Sequence, residues 1–274
     1  MTTTWQRSPF SPRPAPRLVR ASGDTAEAEL LLYDEIGYFG IRAEDVVRAL
    51  RDVTAPTLRV RINSPGGDVF EGMAIYSALR QHVGRSSMRL ITQIDGLAAS
   101  IASIIALAGD EVRIASNAFY MIHNPFGVTL GDAAEHRKTA EVLDQIAGAM
   151  IAIYAGKTGA TPKQVTNWMD EETWFGAAAA AEAGFVDEID DVAPAARAGT
   201  ARFDLSAYRH VPAELAAAAA TKPTVRDVER LLRDAGFSRS EAAAIASAGK
   251  QALSPWDAGE VVDGLRTLIT TLKT

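Results

Sequence analysis

The amino-acid sequence predicts an α/β fold with a small α-helical C-terminal extension, and three observations carry that expectation. From Glu27 onward, apolar segments alternate between the two-residue period of strands and the 3.6-residue period of helices. One helical segment, IASIIALAG, is apolar on every side and belongs inside the protein. Of the 274 residues, 47% are hydrophobic, which is enough to surround such an interior helix.

The elements follow in order. Residues 1–26 hold four arginines and four prolines interleaved with serine, and read as a disordered arm or as a basic arm that docks on a partner. AELLLYDEIG reads as a strand, AEDVVRALRDV as a helix, and LRVRIN as an alternating strand broken at SPGG. VFEGMAIYSALRQH is helix-patterned and MRLITQI strand-like, and DGLAAS is expected to be a small-residue turn leading into the buried helix. EVRIAS and FYMIHNP follow as short strands. In GDAAEHRKTAEVLDQIAGAMIAIYAGKTG, the residues Leu143, Ile146, Ala147, Met150, Ile151 and Tyr154 share one face, opposite Glu135, Lys138 and Glu141. That is one long amphipathic helix. PKQVTNWM and AAAAAEA are shorter helices, the second ending at Gly184, and FVDEI closes the unit as a strand.

A main domain over 27–191 results. Residues 192–222 read as an alanine-rich linker, low in large apolar side chains, and 223–274 as a small helical segment suited to docking, oligomer contact or tethering. That last segment has no dense basic face, which argues against a DNA-reading helix pair.

Composition excludes several classes. A formal charge of −6 leaves no general basic surface for nucleic acid. The absence of cysteine removes disulfide frameworks, thiolate metal sites and cysteine nucleophiles. No apolar stretch has the length of a signal peptide or membrane span, so a cytoplasmic location is expected, with no membrane partner.

Three pieces could carry chemistry. Ser100 follows a strand and a small-residue segment and begins the buried helix, where the helix dipole and free amides favour an oxyanion. A serine there also serves as an ordinary helix cap. His123 ends the apolar strand FYMI with a titratable ring, which can be a buried structural histidine or a general base. His82, His136 and His210 lie on charged helix faces or in the alanine-rich tail and make poor bases. NSPGGD, between a strand and a helix, lets main-chain amides turn toward a ligand, or is simply a tight turn. Neither a dinucleotide fingerprint nor a phosphate-loop lysine accompanies it. Acyl transfer needs a nucleophile, a base and preorganised donors brought to one cleft.

In that order and separation, INSPGGDVFEGMAIYSALR, DGLAASIASIIALAGDEV and AFYMIHNP resemble the motifs of the ClpP-like serine peptidases. With ETWFGAAAAAEAGFVDEI, the likeness is greatest to the head-maturation (prohead) peptidases of tailed phages and prophages, and it covers about 27–191. The resemblance implies a ClpP/crotonase-like repeated β-β-α superhelical fold. It also implies Ser100 as nucleophile, His123 as base, and an oxyanion hole from the amides of Gly67 and Ile101. Glu172 falls where the family carries an aspartate, with Asp170 and Glu171 as near alternatives. Acyl-enzyme chemistry on these residues needs no metal or organic cofactor. The implied partners are polypeptide substrates, capsid or scaffold protein in the phage case, and further copies of the chain in a ring.

Two rivals stand beside this reading. A crotonase-like acyl-CoA enzyme shares the fold but uses no serine–histidine pair. A capsid-assembly platform would keep the fold without the activity.

Overall fold

The computed structural model describes residues 17–20, 27–38, 40–85, 87–191, 203, 205–215, 240 and 243–245. Its elements are β1 (Arg17–Arg20), β2 (Glu27–Leu32), α1 (Ala43–Leu50), β3 (Thr57–Ser64), α2 (Val69–Arg85), β4 (Arg89–Ala99) and α3 (Ile101–Ala106). They continue with β5 (Glu111–Ala115), β6 (Phe119–Ile122), α4 (Ala133–Thr158), α5 (Pro162–Asp170), β7 (Thr173–Gly176), α6 (Ala177–Glu182) and β8 (Glu188–Asp190).

The strands form one mostly parallel sheet in the order β1-β2-β3-β4-β5-β8, with β6 added to β4 and β7 to β6. Alternation decides its faces. Ala28, Leu30 and Leu32 of β2 and Leu58, Val60 and Ile62 of β3 point into the core. The opposite face carries cross-strand ion pairs, Arg59 to Glu27 at 2.6 Å and Arg61 to Asp95 at 2.8 Å. β4 is central, so it is buried on both faces over most of its length.

One irregularity positions the site. β3 and β4 pair in register up to Ile62 and Ile94, and then Ser64 meets Ala98, so β4 carries two extra residues at its bend. Beyond the bend β4 leaves β5 and pairs through Leu97, Ala98 and Ala99 with β6. DGLAAS is therefore not the expected turn. Its small side chains let the strand bulge and continue between β3 and β6 until Ser100.

The buried helix α3 is where the sequence places it, with all of its residues buried. The long helix α4 starts at Asp132, whose carboxylate caps the amides of Ala134 and Glu135, and stops at Gly159 in the left-handed region. Only its later part is buried, at Met150 and Tyr154. Val142, in its earlier part, is 47% exposed. β7 was not among the expected strands. TWFG pairs antiparallel with β6, and a four-residue strand ahead of an alanine run has too few residues to show a period.

Two expectations for the flanks differ from the structure. Arg17–Arg20, within the segment read as a disordered arm, pairs antiparallel with β2 as an edge strand. Phe203 and 205–215, within the segment read as linker, pack on the sheet: Leu205 and Leu215 are buried with Leu97, Ala99 and Met121. The rest of the arm and of the linker lies outside the described residues. Residues 12–220 form one compact unit; of the other, made of 1–11 and 221–274, only Ser240 and 243–245 are described, all helical. The expected C-terminal helices otherwise lie outside the described residues.

Candidate active site

Ser100 is delivered by the end of β4 and His123 by the end of β6, two strands that pair directly. The Ser100 amide donates to the Met121 carbonyl at 3.0 Å, which locks the serine to the strand carrying the histidine. The Ser100 Oγ lies 2.7 Å from the His123 Nε2. That is the distance a general base needs to take the hydroxyl proton.

Ser100 stands at φ 54°, ψ −127°, a left-handed conformation rare for a residue with a side chain. Although it precedes α3, its hydroxyl makes no capping bond. The strained backbone instead turns the hydroxyl out of the helix toward the imidazole, so a helix cap is not what the side chain does here.

The NSPGGD bend lies against this turn. Ile36 donates to the Gly66 carbonyl at 2.7 Å and accepts from the Asp68 amide at 2.8 Å, so the amide of the intervening Gly67 must face the other way. Gly66 and Gly67 have φ of 97° and 139°. A methyl group on Gly66 would stand 2.7 Å from the Ser100 Cβ, and one on Gly67 2.0 Å from the Ile36 carbonyl oxygen. Ser100, His123, Gly67 and Ile101 all line one pocket of about 440 Å3, whose remaining wall includes Phe70, Phe126, Leu143 and Met150. An apolar recess with a few convergent polar groups is the usual form of a ligand site.

His123 is 7% exposed. Burial lowers its pKa from the ordinary histidine value; the Glu172 carboxylate acts to raise it, and the Arg209 guanidinium to lower it again. A ring that stays neutral is ready to accept a proton.

Glu172 is buried beside His123 at φ 51°, in the turn from α5 to β7. Among the described residues no hydrogen bond joins its carboxylate to the imidazole. Oε1 accepts from the His210 amide at 2.7 Å and from the Trp174 Nε1 at 3.3 Å, and the Arg209 Nε lies 3.9 Å from Oε2. Burial alone would raise the Glu172 pKa, but the amides of His210 and Arg209, the Trp174 indole and the His123 ring hold it below the ordinary carboxylate value. It is thus a fixed negative charge facing the ring. The alternatives are placed differently: Asp170 is exposed and accepts from the Asn124 Nδ2 at 2.6 Å, and Glu171 is exposed and offers its carbonyl to the His210 Nδ1 at 2.8 Å.

Sequence reasoning missed the contribution of 205–215. Tyr208 packs its ring edge-on to His123 with centroids 5.3 Å apart, and its hydroxyl donates to the Pro65 carbonyl. A signal was present, since Phe203, Leu205, Tyr208, Val211 and Leu215 recur at short intervals within a stretch otherwise poor in large apolar residues. Among the described residues no cluster of His, Asp and Glu could hold a metal ion, and no helix is long and apolar enough to cross a membrane.

Comparison with known proteins gives one family. A profile described as Clp protease matches residues 43–192. An ATP-dependent Clp protease proteolytic subunit 1 of Leifsonia xyli subsp. xyli is 35% identical over 134 residues, which are 48% of this chain and 66% of that protein. Another of the same name, from Corynebacterium jeikeium, is 32% identical over 172 residues, or 59% of this chain and 89% of that one. Among solved structures, a point mutant of ClpP1 from Listeria monocytogenes superposes with a TM-score of 0.52 at 25% identity, covering 60% of this chain and 91% of that one.

Proposed function

This chain belongs to the Clp protease family and has its α/β fold, and on that premise we propose that it hydrolyses peptide bonds as a serine endopeptidase with Ser100 as nucleophile and His123 as general base. The observation that carries the assignment is the 2.7 Å approach of the Ser100 hydroxyl to the imidazole, inside a pocket that also presents Gly67 and Ile101. His123 takes the hydroxyl proton as Oγ attacks the substrate carbonyl carbon. The amides of Gly67 and Ile101 receive the developing oxyanion. The protonated imidazole then gives its proton to the leaving amine, and water repeats the sequence to release the acyl half. Glu172 stabilises the imidazolium through space, anchored by main-chain donors.

The substrate is a polypeptide, and the chain assembles with copies of itself. The exposed early part of α4, with Val142 at 47%, supports such a contact. Capsid or scaffold protein processed during phage head maturation is the finer reading, supported by the likeness of residues 172–189 to the prohead peptidases. The test is mass spectrometry of products after mixing the enzyme with a candidate head protein, beside a Ser100→Ala control. Defined fragments that need Ser100 support the reading. An intact head protein with a standard peptide still cleaved would leave the peptidase and remove the head-maturation role.

A further inference from the structure

The stretch 205–215 lies beyond the residues that the family profile matches, yet it contacts His123, Glu172 and the bend that begins at Pro65. We infer that it is a positioning strap for the serine and histidine, with Tyr208 as its positioning residue. The inference rests on the assignment of Ser100 and His123 made above.

The anchor comes first. Leu205 and Leu215 are each 4% exposed and pack with Leu97 and Ala99 of β4 and Met121 of β6. These are the strand ends that deliver Ser100 and His123, so the strap is fixed to the same backbone as the site. Between the two leucines, Tyr208 sets its ring edge-on to His123, and Phe126 approaches the imidazole with centroids 5.8 Å apart. Held by both rings, the imidazole loses freedom to rotate away from Ser100.

The Tyr208 hydroxyl donates to the Pro65 carbonyl, and Tyr208 borders the same pocket as Ser100. Pro65 opens the bend that turns the Gly67 amide outward, so this bond steadies a proposed oxyanion donor as well. Burial pushes the phenol up to about 12, and it stays protonated throughout the enzyme's working range. Two residues further on, the His210 amide donates to Glu172 at 2.7 Å and fixes the charge beside His123.

The strap does not fill the larger pocket. Ser100, His123, Gly67 and Ile101 still line about 440 Å3 with Tyr208 in place, while Tyr208 walls a second pocket of about 300 Å3 that shares Gly67 and Ser100. Tyr208 therefore borders the nucleophile without closing the side where His123 and the donors meet.

The experiment compares the full chain with its Tyr208→Phe, Tyr208→Ala and Ser100→Ala variants on a fluorogenic peptide amide, across pH. Removing only the hydroxyl in Tyr208→Phe should lower kcat about tenfold with KM within about twofold, because orientation rather than binding is lost. Tyr208→Ala should lower kcat further and move the acid limb of kcat/KM to higher pH, because water reaches the imidazole and its pKa rises toward the ordinary value. A strap that served stability alone would change the melting temperature and leave the pH profile of the folded enzyme where it was. Wild-type kcat and an unmoved acid limb in Tyr208→Phe and Tyr208→Ala would overturn the inference. Should Tyr208→Ala fail to fold, Tyr208→Phe decides alone. Ser100→Ala separates the two ideas: if it is inactive while the Tyr208 variants match wild type, only the strap fails, and if it is fully active, the serine assignment fails first.

Discussion

The hydroxyl of Ser103 donates to the Ser100 carbonyl at 2.5 Å and lies 2.7 Å from the hydroxyl of Tyr154. With its own proton committed to Ser100, Ser103 accepts from Tyr154. The Tyr120 hydroxyl adds a bond to the Ser103 carbonyl at 2.9 Å. A chain of hydrogen bonds, buried at Tyr154, Tyr120 and Ser103, thus runs from α4 to the strained turn that presents the nucleophile. Tyr154→Phe keeps the packing and removes one donor. It should cost about 1 kcal/mol of stability, the usual net value of a buried hydrogen bond. It should also lower kcat a few-fold through a looser Ser100 turn; thermal melting and steady-state kinetics check the two effects separately.

The pH profile tests the environment of His123. The base works only when neutral, and burial lowers its folded pKa, so activity should persist below the ordinary histidine range before falling on the acid side. Glu172→Gln removes the carboxylate that raises this pKa, so the acid limb should move to still lower pH. At the same time the rate should drop about tenfold or more, because the imidazolium loses a stabilising charge. An acid limb moving upward in Glu172→Gln would show that the carboxylate acts by another route. The linkage to stability has the same sign: a histidine buried neutral favours the folded state above its unfolded pKa, and that contribution fades as acid protonates the unfolded chain.

Gly66→Ala tests the close approach between the bend and the nucleophile. The added methyl would meet the Ala99 carbonyl oxygen and the Ser100 Cβ, each at 2.7 Å, from a backbone at φ 97°. The backbone at this bend must move, and a strained conformation alone costs on the order of 1–3 kcal/mol. Activity should fall at least a hundredfold, on the order expected when a donor of an oxyanion hole is displaced. Circular dichroism of the same sample tells a folded, inactive protein from an unfolded one.

Leu215→Ala tests how the strap is held. Truncating a buried leucine costs about 2–5 kcal/mol where the site cannot collapse. Here the loss falls on one short segment, so it should appear as local opening rather than global unfolding. Hydrogen exchange at the His210 amide, which donates to Glu172, should accelerate, while amides within β3 and β4 keep their protection.

How much could be read from the chain follows from where the physics is local. The periodic elements were legible because burial repeats along them: of the six residues expected on the core face of α4, Met150 and Tyr154 are buried, Ile146, Ala147 and Ile151 pack partly buried against the core, and Leu143 is half-buried. The Ser100 and His123 pair was legible through motif order, since the ends of paired strands meet whatever lies between them. The bulge in β4 was not, because DGLAAS has the composition of a turn and only the β3 and β6 partners show that it stays extended. The bonding of Glu172 was likewise hidden. Its partners, His210 and Trp174, come from a segment 38 residues away and from an antiparallel strand too short to show a period. Alanines on either side of Phe203 to Leu215 diluted the one apolar signal that would have marked the strap.

The central claim is that the Ser100 hydroxyl, activated by His123, is the nucleophile, and covalent trapping tests it most directly. Intact-mass analysis after treatment with a fluorophosphonate should show one adduct per folded chain, and peptide mapping should place it on Ser100. His123→Ala should slow the labelling by several powers of ten, on the order seen when a triad member is removed. Folded wild-type protein that takes up no adduct, or carries it on another residue with Ser100 unmodified, would contradict the account.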